Sequence, residues 1–237
     1  MQCAPLFCLI GAISLPLYTE SNLLEMKFVN AHTHKYSDEN EVIELGSCLY
    51  GREQSHSGLY SVGIHPWDAL VVSETEAIAW LEAHPDAAAV GECGYDFVRG
   101  REDFAAQQRL FEVQLEYARS KNIPIITHCV KGYNELLAAL KKNPSLRVVA
   151  HGFVGSQHLA EQLVSHAITL SFGSAILQNE KLRNVLSALP EDMLLLETDD
   201  ADVDIRAIYD CLCEVKNIDL LQAKQLIYNN FIRIFRL

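Results

Sequence analysis

The sequence predicts an α/β protein, a slightly shortened (β/α)8 TIM barrel. Three observations lead there. The chain has 237 residues, close to the usual size of one such barrel. From Met26 onward, short β-rich runs alternate with helical patterns, the order expected of a parallel sheet with crossover helices. Several of those runs are apolar nearly throughout, as in Ile123-Pro124-Ile125-Ile126 and Met193-Leu194-Leu195-Leu196. Strands buried on both faces read this way.

Taken in order, strands are expected at 27–31, 42–49, 59–64, 87–92, 123–128, 146–151, 167–172 and 193–198. The first two connections are short, with 24 residues between His34 and Leu59. Ser73-x-x-Glu76 matches a capping box ahead of the first helix. The stretch 103–121 is amphipathic, with Phe104, Phe111, Leu115 and Ala118 along one face. Gly132 precedes a helix at 133–142, and Ser156 is placed to cap one at 157–166. Further helices fit 178–188, 203–216 and 219–235. With no internal repeat and no Gly/Ser linker, residues 26–237 are expected to form one domain.

Residues 1–25 stand apart. The run from Cys3 to Tyr18 is apolar but interrupted by Pro5 and Pro16, and the first lysine is Lys27. It lacks the basic start of a secretory signal and is too broken for a membrane span. The expectation is an extension ahead of a working protein that begins at Met26. The alternatives are an atypical signal or an N-terminal strand or helix packed on the domain.

Composition narrows the function classes. Apolar residues make up 49%, enough for a sizeable core. The 19 Lys plus Arg stand against 31 Asp plus Glu, a net charge of −12. That balance argues against a basic groove tracking long nucleic acid. It leaves room for a metal site acting on a strand end or a small anion, since divalent ions reverse the local field. Seven cysteines show no metal-finger spacing, and their odd number fits free thiols in a reducing compartment. A cytoplasmic protein without membrane spans is expected. Cys93 and Cys129 should face outward from their strands as small buried hydrophobes.

Chemistry is written at the strand ends, the rim where barrel active sites sit. The first strand leads into Asn30-Ala31-His32-Thr33-His34, and residues two apart on a strand point the same way. The later endings are Gly63-Ile64-His65-Pro66-Trp67, Gly91-Glu92-Cys93-Gly94, Thr127-His128-Cys129, Ala150-His151-Gly152-Phe153 and Glu197-Thr198-Asp199-Asp200. Imidazoles and carboxylates converging on one rim point to a metal site.

These motifs, in this order, resemble the TatD-type metal-dependent hydrolases and deoxyribonucleases of the amidohydrolase superfamily. Val90-Gly91-Glu92-Cys93-Gly94-Tyr95-Asp96-Phe97, His151-Gly152-Phe153-Val154-Gly155-Ser156 and Leu194-Leu195-Leu196-Glu197-Thr198-Asp199 carry much of the likeness. Asn229-Asn230-Phe231-x-x-Ile234-Phe235 closes it. The resemblance implies two divalent ions (Zn, Mg or Mn), one on His32, His34 and Asp199 and the other on His128 and His151. Glu92 would bridge them. It implies a metal-bound water as nucleophile, with Asp199 taking or orienting its proton and Glu92 and Asp199 as the catalytic pair. It places a substrate-contacting histidine at His65. Lys131 is a candidate anion contact, Trp67 a candidate pocket wall, and Asp96 a support for its loop. His56, His84, His158 and His166 read as surface residues.

Three departures bear on the substrate. Asn30 stands where the family usually has Asp. Val130 replaces an arginine after the fifth strand. The Arg/Asn/Pro-rich loop after the last strand is missing, and Asp200-Ala201-Asp202-Val203-Asp204 takes its place. Arg206 is the one arginine between Glu197 and Asp210. The expected partner is therefore a nucleic acid end or a small anionic phosphoester or ester, cut by a TatD-like phosphodiesterase or deoxyribonuclease. The alternatives are hydrolysis of a small ester or amide, such as an aminoacyl ester, and a non-catalytic metal-retaining interaction protein.

Overall fold

Eight parallel strands make the main sheet, in chain order: β3 (Phe28–Thr33), β4 (Val42–Leu49), β5 (Leu59–Gly63), β6 (Ala89–Asp96), β7 (Ile125–Val130), β8 (Val148–Ala150), β9 (Ile168–Phe172) and β10 (Leu194–Leu196). The computed structural model describes residues 7–10, 13–16, 26–37, 39–52 and 58–237. Two short strands, β1 (Phe7–Ile10) and β2 (Ile13–Pro16), pair antiparallel in a sheet of their own. The rest of the expected 1–25 extension lies outside the described residues, as does His56.

The main sheet curls until its edges meet. Thr33 bridges Asp199 in parallel. His34 N donates to Asp199 O at 3.0 Å, and Asp199 N donates to His32 O at 3.1 Å. Below this bridge, Asn30 works as a clasp. Its Nδ2 donates to Thr198 Oγ1 at 2.9 Å, and its Oδ1 accepts from Thr198 N at 3.0 Å. An amide carries both a donor and an acceptor, so the departure at Asn30 suits a seam that needs both.

Among the described residues, seven α-helices follow the later strands: α1 (Glu74–Glu82), α2 (Phe104–Lys121), α3 (Tyr133–Leu140), α4 (Gln157–Ser165), α5 (Glu180–Ala188), α6 (Ile205–Lys216) and α7 (Leu220–Phe235). The capping box at Ser73 and Glu76 is present. Asn122 ends α2 in the left-handed conformation and turns the chain into the next strand. Tyr209 of α6 is fully buried beneath the seam, where its hydroxyl accepts from Val29 N and donates to Val29 O. α7 buries Ile227, Phe231 and Ile234 and packs on β3 and β10.

The early strands are covered differently. Among the described residues no helix lies between β3 and β4 or between β4 and β5. Tyr36 covers the outer face of β4 instead. A Cβ at Gly46 would fall 1.9 Å from the Tyr36 hydroxyl, so only glycine lets the ring lie flat there. The hydroxyl then donates to Leu59 O at 3.1 Å.

Against the expected spans, β3 runs on to Thr33, β8 and β10 are shorter, at Val148–Ala150 and Leu194–Leu196, and β7 and β6 are displaced. β7 begins at Ile125 rather than 123, because Pro124 has no N–H to donate to the ladder. β6 runs to Asp96 rather than ending at 92. Its register slips between Val90 and Cys93. Gly91, with φ of 151°, passes so near β7 that a Cβ would lie 2.5 Å from Ile126 O. Glu92 therefore sits within the strand, aimed into the barrel. Cys93 is fully buried in the core, and burial pushes its thiol above the usual range. Cys129 is half-buried and is pushed up to about 12 by the same cause. Cys48, Cys93, Cys129, Cys211 and Cys213 are all free thiols.

Candidate metal centre

Glu92, 3% exposed, is the middle of the site. Its two carboxylate oxygens face different pairs of histidines. Oε1 lies 3.1 Å from His32 Nε2 and 2.7 Å from His34 Nε2. Oε2 lies 3.0 Å from His151 Nε2 and 3.6 Å from His128 Nδ1. His32 and His34 arrive side by side because both belong to the β3 end, two residues apart. Asp199 Oδ1 reaches the first pair, 3.7 Å from His32 Nε2 and 3.4 Å from His34 Nε2. Asp199 takes a left-handed turn at φ of 56°, which an aspartate tolerates better than most residues. Ser47 supports the centre from β4 by donating to Glu92 Oε1 at 3.2 Å.

His34, Glu92, His128, His151 and Asp199 line an open cavity of ≈ 250 Å³, together with Arg52, His65, Trp67 and Asp200. The electrostatics follow from crowding carboxylates and imidazoles in one buried place. Burial works against ionisation of Glu92, but His151 and His32 outweigh it and hold the carboxyl well below its usual range. Burial likewise opposes charge on His151, yet Glu92 and Glu197 hold its pKa well above 6.5. His34 is raised for the same reason, against its own burial, by Glu92 and Asp199. At Asp199 burial wins over the neighbouring histidines and raises the carboxyl.

The donor set fits a divalent metal. Imidazole and carboxylate together suit zinc and its first-row neighbours. His32 is 1% exposed, and neither of its ring nitrogens has a hydrogen-bond partner of good geometry among the described residues. A buried orphaned nitrogen is costly, and a cation beside Nε2 would remove that cost. His32, His34, Glu92 and Asp199 offer ligand atoms all within 4.8 Å of one another, and so do His151, Glu197 and Asp199.

His65 differs from the other histidines. Its Nδ1 accepts from Trp67 N at 3.2 Å, so the ring proton belongs on Nε2. That nitrogen points at Glu92 Oε2 from 4.0 Å. Burial and the neighbouring His128 lower its pKa to about 3. The ring is a neutral N–H donor facing the cavity. Lys131 is exposed at the end of β7 and does not line this cavity.

Glu197 was missed by sequence reasoning. It is fully buried, accepts from His151 Nδ1 at 3.3 Å and from Gly152 N at 2.6 Å. This bond sets the His151 tautomer and leaves Nε2 free to face Glu92. The signal was present: Glu197 and Asp199 are two residues apart at a strand end, the spacing that singles out His32 and His34. Asp96 does support its loop, accepting from Val98 N and Arg99 N at 2.9 and 3.0 Å. It also takes Trp67 Nε1 at 2.7 Å and lies 3.5 Å from His128 Nε2. His84 is not a surface residue. It is half-buried, with Nδ1 on Trp80 O and Nε2 near Cys48 Sγ. His158 and His166 are exposed.

Residues 26–236 match the model of the family described as TatD related DNase. The chain belongs to that family. The 3'-5' ssDNA/RNA exonuclease TatD of Escherichia coli is 32% identical over 148 residues, 59% of this chain and 56% of that protein. The uncharacterized metal-dependent hydrolase YabD of Bacillus subtilis is 32% identical over 146 residues, 59% of this chain and 57% of that one. These alignments span just over half the length of the curated relatives. Among solved structures, the TatD homolog YjjV of Escherichia coli superposes with a TM-score of 0.78 at 24% identity, covering 90% of this chain and 99% of that one. A TatD family hydrolase of Entamoeba histolytica gives 0.74 at 16% identity, over 88% and 98%. Both neighbours carry the (β/α)8 fold. No helix of the described residues is long and apolar enough to cross a membrane.

Proposed function

We propose that this TatD-family chain is a divalent-metal-dependent phosphodiesterase acting on the end of a single-stranded nucleic acid. One observation carries the reading: the opposed oxygens of Glu92, each turned to its own histidine pair. A carboxylate so placed would serve two ions, one beside each histidine pair. His32, His34 and Asp199 would hold one ion, and His128 and His151 the other. Bound divalent ions supply Lewis acidity that activates water and offsets phosphate charge.

The chain's own groups do the rest. Asp199, whose Oδ1 reaches the His32–His34 pair, is the acceptor for the proton of the attacking water. His65 stays neutral and offers Nε2–H to an oxygen of the scissile phosphate. Glu197 keeps His151 turned the right way. The mouth favours short or terminal substrates. Arg52 is the one Lys or Arg side chain among the described lining residues, and Asp68 sits 3.5 Å from it. Arg206 is held away by Glu39, Glu41 and Asp204. A long polyanion meets Asp199 and Asp200 instead. The relative named for a 3'-5' exonuclease activity on ssDNA and RNA fits this choice of substrate.

The test is a panel of phosphodiesters, phosphomonoesters and carboxyl esters, with and without chelator. Chelator-sensitive release of nucleotides from strand ends is expected, faster than internal cutting of long duplex. Turnover of carboxyl esters alone would replace this reading with ester hydrolysis. Metal binding with no turnover of any member would leave a metal-retaining interaction protein.

A further inference from the structure

Trp67 is anchored like a core residue yet left in the open. Its Nε1–H donates to Asp96 Oδ2 at 2.7 Å. Its ring packs edge-on against His65, with centroids 4.3 Å apart. Still, 43% of the residue is exposed, at the lip of the metal cavity. A tryptophan held rigid and half bare is more than surface decoration.

Arg99 lies over the same indole, its guanidinium carbon 3.7 Å from the ring centroid. Unlike Arg52 and Arg206, it has no carboxylate within ion-pair distance among the described residues. Asp96 fixes it from below, accepting from both the Arg99 backbone N–H and the Trp67 indole. Trp67 and Arg99 together line a second cavity of ≈ 230 Å³, which Pro66, Leu70, Gly100, Asp103 and Gln107 complete, Asp103 being its one carboxylate. Trp67 also lines the metal cavity, so the indole is the wall between the two.

We infer that this second cavity is a base-binding subsite. It takes the nucleobase of the unit adjoining the scissile phosphodiester and stacks it on the Trp67–Arg99 pair. Nucleobases stack on aromatic rings and on guanidinium planes alike. The unpaired charge of Arg99 complements the phosphate that travels with the base. The inference rests on the nuclease reading and adds a requirement to it: the substrate must carry a base beside the bond that is cut. It also answers how an acidic mouth without the basic loop retains a nucleic acid end, by stacking rather than by many cations.

The chain has two tryptophans. The other, Trp80, packs against His84 at a ring distance of 4.3 Å, away from the metal cavity. Trp80→Phe makes Trp67 the only indole reporter. Metal-loaded W80F protein is titrated with a phosphorothioate-linked single-stranded tetranucleotide, and with the same strand lacking its terminal base. Quenching of Trp67 by the base-bearing strand, and little by the abasic one, is expected. Equal quenching by both, or none, overturns the subsite. Kinetics give a second arm: KM for the abasic end should exceed that for the normal end about tenfold or more, the worth of one stacked base. In Trp67→Leu and Arg99→Ala that ratio should fall toward one, and a ratio that stays put overturns the assignment. If base-dependent quenching holds while no strand is cut, the nuclease reading fails and the subsite stands. If ends are cut at equal rates with or without a base, the subsite fails and the nuclease reading stands.

Discussion

The two sides of Glu92 are built to different standards. On the Oε2 side, His151 is locked by a hydrogen bond to buried Glu197 and its Nε2 lies 3.3 Å from His128 Nδ1, although His128 Nε2, 3.5 Å from Asp96, has no hydrogen-bond partner of good geometry. On the Oε1 side, His32 has no hydrogen-bond partner on either nitrogen, and the His34 and Asp199 side chains are 21% and 35% exposed. The protein therefore presets one half of its site and leaves the other for a bound cation to organise. Stepwise metal binding is the expected consequence, with the preset half filling first.

Removing the shared carboxylate should erase the distinction. Glu92→Ala is expected to abolish turnover and both binding steps, the largest effect in the molecule, while the circular dichroism stays native. Retention of either step with full affinity would mean that the halves do not share Glu92. Next in size, Glu197→Gln keeps the shape but loses the charge that orients His151. Partners of this kind are worth about 10- to 100-fold in metal affinity. Calorimetry should place that loss in one step only, with Asp199→Asn weakening the other. Equal losses in both steps would break the comparison. His65→Gln should leave both steps intact and lower kcat about 10- to 100-fold, the value of a hydrogen bond to a charged group. Weakened metal binding in that variant would make His65 a ligand after all.

The sequence carried most of the site because its logic is local. A period of two at a strand end turns His32 and His34 the same way, and nothing distant is needed to see it. The fold was legible for a similar reason, since apolar runs alternate with capped amphipathic helices. What stayed hidden depends on contacts across the barrel. Glu197 reads as one more acid until Gly152 and His151 fold over it, 45 and 46 residues away in sequence. Trp67 reads as a candidate pocket wall, but the bond to Asp96, 29 residues on, that holds it at the lip is invisible in the sequence. Asn30 reads as a lost charge until Thr198 closes on it. Lys131, expected near His128, is exposed and lies outside the residues that line the cavity.

Asn30 tests the less finished side at its seam. Asn30→Ala leaves Thr198 N and Thr198 Oγ1 without their partner in a site where Asn30 is 2% exposed. Unsatisfied buried groups cost about 1–3 kcal/mol, so Tm should fall by about 3–10 °C at this chain size. The first metal step should be less affected than the second, whose ligands His34 and Asp199 hang from the same seam. A stable variant with unchanged metal steps would show that the Thr33–Asp199 bridge holds the edges alone.

Tyr36 gives the smallest and most specific effect, visible only in alkali. Burial, with Glu44 nearby, pushes its phenol up to about 12 from the usual 10.0. The folded state therefore holds the phenolic proton more tightly than the unfolded chain. A raised folded pKa contributes stability that is fully present below pH 10 and is lost as pH climbs through 12. Tyr95, Tyr133 and Tyr209 are raised in the same direction, chiefly by burial, so the whole protein should weaken across this window. Tyr36→Phe removes one contributor. It forgoes the bond to Leu59 O, at about 1 kcal/mol, and is slightly less stable at neutral pH. Urea midpoints from pH 9 to 12 should then fall less steeply in Tyr36→Phe than in the natural chain. Parallel slopes would mean that the ring over β4 ionises freely, and that this side of the barrel is looser than its geometry shows.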